Sequence, residues 1–358
     1  MTKLRVAIAG VGIGRQHLAA FRELSERFDV VALCDPNAER RNGVAQEFGI
    51  ATTTASFDDL LARDDVDVID ICTPQSLHYP QVKAALAAGR HVICEKPVVG
   101  ALADCDVLIA AERASGRRVM PVYQYRFGVG LQKLLHLIER GVTGRHYLST
   151  AETTWRRGAA YFTTPWRGNL AQAMGGCLLT QAIHAHDALT LALGDVRKVY
   201  ATIATRVNVV ETEDCAVASL TLADGSLASL AVTLGSADDT SRLRFHFENL
   251  TAQSSLAPYT MTAEPWTLIP VDDAAARRIA DALSDFQAKP EGFVGQFLRF
   301  HEALSDGSEI PVTLADARAS LELLTALYHS AATGAQVELP IASTHPAYRG
   351  WLHPAALT

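Results

Sequence analysis

Short runs rich in valine and isoleucine punctuate the first third of the chain. They fall at Arg5–Ala9, Val30–Cys34, Val66–Cys72, His91–Cys94 and Arg118–Tyr123. Between them lie stretches with helical character: Arg15–Phe28, Asn37–Phe48 stopping at Gly49, the short FDDLLAR capped by Ser56, Tyr79–Ala88 stopping at Gly89, and one more before the last run. Runs that are apolar throughout predict parallel strands covered on both faces. Alternation with helices then predicts a doubly wound α/β sheet, whose ligands bind at the carboxyl ends of the strands. Past Tyr123 the pattern changes. It predicts a helix over Leu131–Glu139, a strand, a loop, a helix within 174–189, and alternating strands from Val196 to Phe247. Ala223-Asp224-Gly225 suits a hairpin turn. Helices are expected near Phe293–Ser305 and Leu314–Ala332. The boundary near Tyr123 divides a domain of residues 1–123 from one of 124–358.

Candidate chemistry sits at the strand ends. The first strand runs into Gly10-Val11-Gly12-Ile13-Gly14, one residue tighter than the common GxGxxG. Glycines there permit a sharp turn and a close backbone approach to a pyrophosphate, and the following helix N-terminus favours its charge. The second strand ends at Asp35, 21 residues past Gly14. A carboxylate at that place accepts hydrogen bonds from ribose hydroxyls and repels a 2′-phosphate, which favours NAD over NADP. Arg40 and Arg41 lie nearby and weaken that preference. The fifth-strand position ends in Glu95-Lys96-Pro97. A lysine at the cofactor edge can hydrogen-bond a substrate hydroxyl, and burial beside a positive ring lowers its pKa.

Taken in order, GVGIGRQH, CDP, ICTPQSLH and CEKP resemble the Gfo/Idh/MocA oxidoreductases, named for glucose–fructose oxidoreductase, inositol dehydrogenase and a rhizopine-catabolism protein. The resemblance runs down to LYHSAATGAQVELP. It implies an N-terminal Rossmann domain and a C-terminal α/β domain on a large, mostly antiparallel sheet that serves as an oligomer interface, in a homodimer or homotetramer. Cofactor contacts are implied at Gly10, Gly12, Ile13 and Gly14, at Asp35 and Arg40, and at Thr73, Pro74 and His78. Glu95, Lys96 and Gln124 complete that set within and just past the first domain.

The stretch MGGCLLTQAIHAHDAL, residues 174–189, is similar to the family's GGGxLxDxxxHxxD segment. The likeness places His184 at the catalytic histidine. Gly175 and Gly176 fall on the second and third glycines, Met174 replaces the first, and Thr180 stands where many members have aspartate. On a continuous helix Thr180 and His184 share a face, whereas His186 points elsewhere. That spacing argues against a metal held by both histidines. His184 as neutral imidazole would take the hydroxyl proton as hydride leaves the adjacent carbon. Asp187 is expected to hold the helix. A threonine in the aspartate position can orient the imidazole but cannot stabilise its charge, so Lys96 and His184 share the proton work in an order left open. Gln181 is a further substrate candidate.

The preceding loop, WRRGAAYFTTPWRGN, concentrates Trp155, Arg156, Arg157, Tyr161, Phe162, Trp166 and Arg167. Flat aromatics suit the apolar faces of a sugar or cyclitol, and arginines suit hydroxyls or an anionic group. The family resemblance makes Trp166 and Arg167 cofactor contacts, with Tyr161 and Arg126 expected to face the substrate. Arg156 and Arg157 are equally compatible with packing and solvent exposure.

Composition narrows the function. The 358 residues are 49% hydrophobic and 20% charged, with net charge −7, as for an ordinary globular chain. The chain lacks a Lys/Arg run, which argues against nucleic acid. It also lacks the run of about 20 apolar residues that spans a bilayer. MTKLRVAIAGVGIG reads as a first strand and not a leader. Six cysteines without a CxxC pair suggest reduced thiols in the cytoplasm and no zinc site. The expectation is an NAD-dependent oxidoreductase acting on a secondary alcohol or ketone of a sugar, sugar acid or cyclitol. A redox-neutral NAD-dependent glycoside hydrolase and a non-enzymatic NAD-binding regulator are the alternatives.

Overall fold

The computed structural model describes residues 3–164 and 166–352. Two compact units result: residues up to Tyr123 with Phe293–Ala319, and Gln124–Gly292 with the chain from Ser320 onward. The segment 293–319, which the hydrophobic pattern assigns to the second domain, thus packs with the first. Its helix Gly292–Asp306 buries Phe297 and Phe300, and Phe297 stacks on Phe21 at 4.6 Å. Only packing could reveal that return, because the linear pattern carries no record of it.

The first unit contains a six-stranded sheet of β1 (Leu4–Ala9), β2 (Phe28–Cys34), β3 (Thr53–Thr54), β4 (Val68–Ile71), β5 (His91–Cys94) and β6 (Val119–Pro121). Its order is β3-β2-β1-β4-β5-β6 and every pairing is parallel. This is the expected Rossmann arrangement, with its switch point between β1 and β4. The continuous apolar runs are buried because helices cover both sheet faces. Asn37 caps the helix Ala38–Phe48 by accepting from the Arg40 N–H, and Gly49 ends it at φ 73°. Ser56 precedes the helix Phe57–Leu61, but its side chain makes no cap bond. The first helix stops at Glu23, earlier than its pattern predicts, because Phe28 joins β2 opposite Leu4.

The second unit holds an eight-stranded sheet of β7 (His146–Arg156), β8 (Val196–Ala204), β9 (Cys215–Leu222), β10 (Leu227–Thr233), β11 (Gly235–Phe247), β12 (Leu250–Gln253), β13 (Thr267–Pro270) and β14 (Val337–Glu338). Its order is β13-β12-β11-β7-β10-β9-β8-β14, antiparallel except where β10 meets β7. The α/β class and the large, mostly antiparallel second sheet are as the sequence implies. A helix at Asp273–Leu283, capped by Asp272, escaped the pattern reading. No helix among the described residues is long and apolar enough to cross a membrane.

Candidate active site

In the first unit the predicted cofactor residues gather at the carboxyl ends of four adjacent strands. The glycine turn follows β1, Asp35 follows β2, Thr73-Pro74 follows β4, and Glu95-Lys96 follows β5. Each glycine has its own reason. Gly10 has φ 92°, and a Cβ there would lie 2.4 Å from the Cys72 carbonyl oxygen. A Cβ on Gly14 would press on Ile8 at 3.0 Å, where helix meets strand. A Cβ on Gly12 would meet nothing within 4 Å. Neither folding nor packing demands glycine at 12, whereas close approach of a pyrophosphate does. The cradle therefore fits a dinucleotide. Ile13, the residue before the helix, is 37% exposed beside that opening.

Asp35 is tied into the same turn. Its Oδ2 accepts from the Val11 N–H at 3.1 Å and its Oδ1 from the Asn37 N–H at 2.9 Å. Arg40 forks onto both oxygens at 3.1 and 2.8 Å, and Arg41 donates to the Asp35 carbonyl at 2.5 Å. Burial alone would raise the carboxyl pKa. Arg40 and the two backbone donors outweigh it and hold the group below the usual aspartate value. Arg40 therefore engages the expected ribose acceptor itself. His78 does not offer a free ring nitrogen to a ligand. Its Nδ1 lies 2.7 Å from the Pro97 carbonyl and its Nε2 2.8 Å from the Thr73 carbonyl. It fastens the two turns to each other and supports a cofactor only through them.

Lys96 is half-buried, and its peptide bond to Pro97 is cis. Burial lowers its pKa from the ordinary lysine value, and the nearby Glu95 charge opposes that shift. Beneath Glu95 lies a group the sequence reading did not single out. His17 is fully enclosed, with Nδ1 2.9 Å from Asp70 Oδ2 and Nε2 3.2 Å from Glu95 Oε1. The signals were an ionisable residue inside the apolar strand VIDI and the histidine of GVGIGRQH. Potential ligand atoms of His17, Asp70 and Cys72 lie within 4.8 Å of one another. Hydrogen bonds among them account for that spacing without an ion.

In the second unit, 174–189 is not one helix. Cys177–Thr180 and Ile183–Leu193 are separate helices. The Ala182 N–H reaches back to the Cys177 carbonyl at 2.9 Å, an irregular turn that breaks the register. Thr180 and His184 therefore do not share a face of one helix. The Thr180 hydroxyl donates to the Gly176 carbonyl at 2.7 Å. Gln181 Nε2 donates to the Tyr161 hydroxyl at 2.8 Å. His184 is buried and stacks on Tyr125, with centroids 4.5 Å apart and planes 18° apart. His186 is also buried, and burial pushes its pKa down to about 3. Arg126, expected to face substrate, forks onto Asp187 at 2.8 and 2.6 Å. That pair pins the His184 helix to the turn Gln124–Phe127 that carries Tyr125.

A shallow recess is lined by Tyr161, Trp166, Arg167, Gly176, Thr180 and Gln181, among others. Arg167 lies over the Tyr161 ring at 4.2 Å. Arg157 is held by Asp239 at 2.8 Å and by the Tyr259 hydroxyl at 2.6 Å. Trp155 is buried and donates to Ser241, so it packs the sheet. The glycine pair also has a tertiary cause. A Cβ on Gly176 would fall 1.9 Å from the Glu213 carbonyl oxygen, and one on Gly175 would fall 2.4 Å from the Tyr328 hydroxyl. Buried Glu213 caps this turn, accepting from the Gly176 and Leu178 N–H groups and from Tyr328. No sequence signal marks Glu213.

Two family models match the chain. Residues 4–123 match the oxidoreductase family with an NAD-binding Rossmann fold, and residues 131–253 match the GFO/IDH/MocA C-terminal domain. The chain belongs to the Gfo/Idh/MocA oxidoreductase family. D-glucoside 3-dehydrogenase of Escherichia coli is 30% identical over 53% of this chain and 54% of its own length. Inositol 2-dehydrogenase of Salmonella typhimurium is 31% identical over 45% of this chain and 51% of its own. The chain thus spans about half the length of these two curated relatives. Among solved structures, the WlbA dehydrogenase from Bordetella pertussis, in complex with NADH and UDP-GlcNAcA, superposes with a TM-score of 0.83. It is 28% identical, over 95% of this chain and 100% of that one.

Proposed function

We propose that this Gfo/Idh/MocA member is an NAD-dependent dehydrogenase or reductase for a secondary alcohol or ketone of a sugar, sugar acid or cyclitol. The observation that carries the reading is Lys96. Its ammonium is disfavoured by burial, and it leaves the sheet at the same edge as an open glycine turn. NAD, when bound, supplies the acceptor or donor of hydride. This chain's residues supply the rest. The backbone of Gly10–Gly14 receives the pyrophosphate, and the Asp35 carboxylate receives the ribose hydroxyls once Arg40 yields. The Lys96 amine and the His184 imidazole take or return the substrate hydroxyl proton. Stacking on Tyr125 fixes the plane of His184. Thr180 holds the turn through Gly176 and supplies no counter-charge. Trp166 and Arg167 are read as cofactor contacts, and Tyr161 and Gln181 as substrate contacts. Arg126 acts through Asp187.

NAD is preferred over NADP because a 2′-phosphate would meet the Asp35 carboxylate. The protein is proposed to be a homodimer or homotetramer. Support comes from Tyr200, Val217 and Leu227, exposed on neighbouring strands β8, β9 and β10. A cytoplasmic setting is proposed from six unpaired cysteines.

The test is NADH absorbance from purified protein with NAD and a panel of sugars, sugar acids and cyclitols, repeated with NADP. A substrate-dependent rise is expected, and Lys96→Ala and His184→Ala should each lower kcat about 100-fold or more. Normal turnover in either variant would overturn its role. Glycoside cleavage without net NADH would replace the reading with a redox-neutral hydrolase.

A further inference from the structure

The first unit encloses three ionisable groups that the proposed chemistry does not use. His17, on the helix Gly14–Glu23, stands between Asp70 of β4 and Glu95 at the end of β5. His17 and Asp70 are wholly buried, and the Glu95 side chain is 10% exposed. Both ring nitrogens face carboxylate oxygens, at 2.9 and 3.2 Å. Only the imidazolium can donate to both. Cys72 Sγ lies 3.3 Å from Nδ1, and Phe293 and Phe297 close the other sides at 4.6 and 5.1 Å. Burial disfavours the charge on His17, but the Asp70 carboxylate outweighs it and holds the pKa well above the usual histidine value. The second oxygen of Glu95 accepts from the Lys96 N–H at 3.2 Å.

We propose that His17 is a positioning residue for Lys96: as a buried imidazolium it fixes the Glu95 carboxylate beneath the Lys96 turn and offsets part of that carboxylate's charge at the Lys96 amine. The inference rests on the reading of Lys96 as the proton-handling lysine. Its logic is electrostatic. Glu95 favours the ammonium form of Lys96, and His78, on the other side of the turn, faces the charges of both Glu95 and Lys96. An uncompensated Glu95 would pull Lys96 back toward an ordinary lysine, protonated at neutral pH and useless as a base. With His17 charged, that pull is shared. When the imidazolium is removed, Glu95 loses the cation that its Oε1 faces, and Lys96 becomes harder to deprotonate.

The experiment reads Lys96 directly. Isotope-coded acetic anhydride labels the full-length protein across a pH series, and mass spectrometry of the Lys96 peptide gives the amine's apparent pKa without any substrate. His17→Gln should raise that pKa by about one unit, and Glu95→Gln should lower it by about one unit, the size expected from a neighbouring charge. In the Glu95→Gln background, His17→Gln should have a clearly smaller effect, because the part of its action that fixes the Glu95 carboxylate is gone and only its own charge remains. A purely structural role for His17 would instead shift Lys96 equally in both backgrounds, and that result overturns the proposal. An unchanged or lowered pKa in His17→Gln overturns it as well. Thermal melts establish that each variant folds. If His17→Gln does not, the isosteric Glu95→Gln decides alone, and an unmoved Lys96 titration refutes the link. An active enzyme whose Lys96 ignores both residues sinks this inference only. Intact coupling in a protein without turnover sinks the proposed activity only.

Discussion

Gly10 and Gly12 lie two residues apart in one turn, and the structure demands opposite outcomes from their substitution by alanine. At Gly10 the backbone sits at φ 92°, and the new Cβ would stand 2.4 Å from the Cys72 carbonyl oxygen. The left-handed conformation costs about 1–2 kcal/mol and the forced overlap about 1–3 kcal/mol more. Gly10→Ala should therefore lose about 2–5 kcal/mol of stability. At Gly12 the Cβ meets nothing within 4 Å and no positive φ is needed. Gly12→Ala should keep its stability to within about 0.5 kcal/mol, as an open surface change does. Its methyl group then occupies the space proposed for the pyrophosphate. An overlap of about 1–3 kcal/mol weakens NADH binding about 5- to 150-fold. Urea unfolding and NADH fluorescence titration separate the two effects. If Gly12→Ala binds NADH as tightly as the parent, the glycine turn is a fold feature only and the cradle lies elsewhere. If Gly10→Ala is as stable as the parent, the crowding argument is wrong.

Other outcomes follow from the same geometry. Asp187→Ala leaves the buried Arg126 guanidinium without the carboxylate it forks onto, so urea unfolding should register a loss of about 3–5 kcal/mol; a loss under 1 kcal/mol would mean the pair is dispensable. His186 has a depressed pKa of about 3, so its contribution to stability is intact above the unfolded value near 6.5 and is lost as pH falls toward 3. Removing it by His186→Leu should flatten the acid limb of the stability curve by something on the order of 5 kcal/mol at most, and an acid limb identical to the parent's would contradict the burial argument. Gly176→Ala drives a Cβ into the Glu213 carbonyl and should cost at least about 3 kcal/mol in thermal or chemical unfolding. Asp35→Ser should raise kcat/KM for NADP relative to NAD about tenfold or more by removing a like charge from the 2′-phosphate; an unchanged ratio would place the discrimination elsewhere.

The local sequence determined what local physics controls. Fully apolar runs between helices can only be buried from both sides, so five of the six strands of the first sheet were readable in order, whereas the two-residue strand Thr53–Thr54 and the exact element ends were not. The strand-end candidates Gly10–Gly14, Asp35 and Lys96 followed from that order, because a parallel sheet puts its ligands at its carboxyl ends. Asn37 and Gly49 mark their helix ends because capping and the left-handed turn depend on one residue each. What required the tertiary structure was every feature set by partners distant in sequence. The helix Gly292–Asp306 joins the first unit through aromatic packing with Phe21 and His17. The His184 segment breaks into two helices where the Ala182 N–H reaches back to the Cys177 carbonyl, and Glu213 with Tyr328 holds the turn that opens the first of them. Arg126 looked available until Asp187 was placed beside it, and His78 until its two carbonyl partners were. Asp70 within VIDI was not singled out from the sequence, and only the approach of His17, with Glu95 on its other nitrogen, makes it part of a charge network. Hydrophobic periodicity reports which side of an element is dry. It carries no information on which buried charge will meet which, since that depends on how whole elements pack.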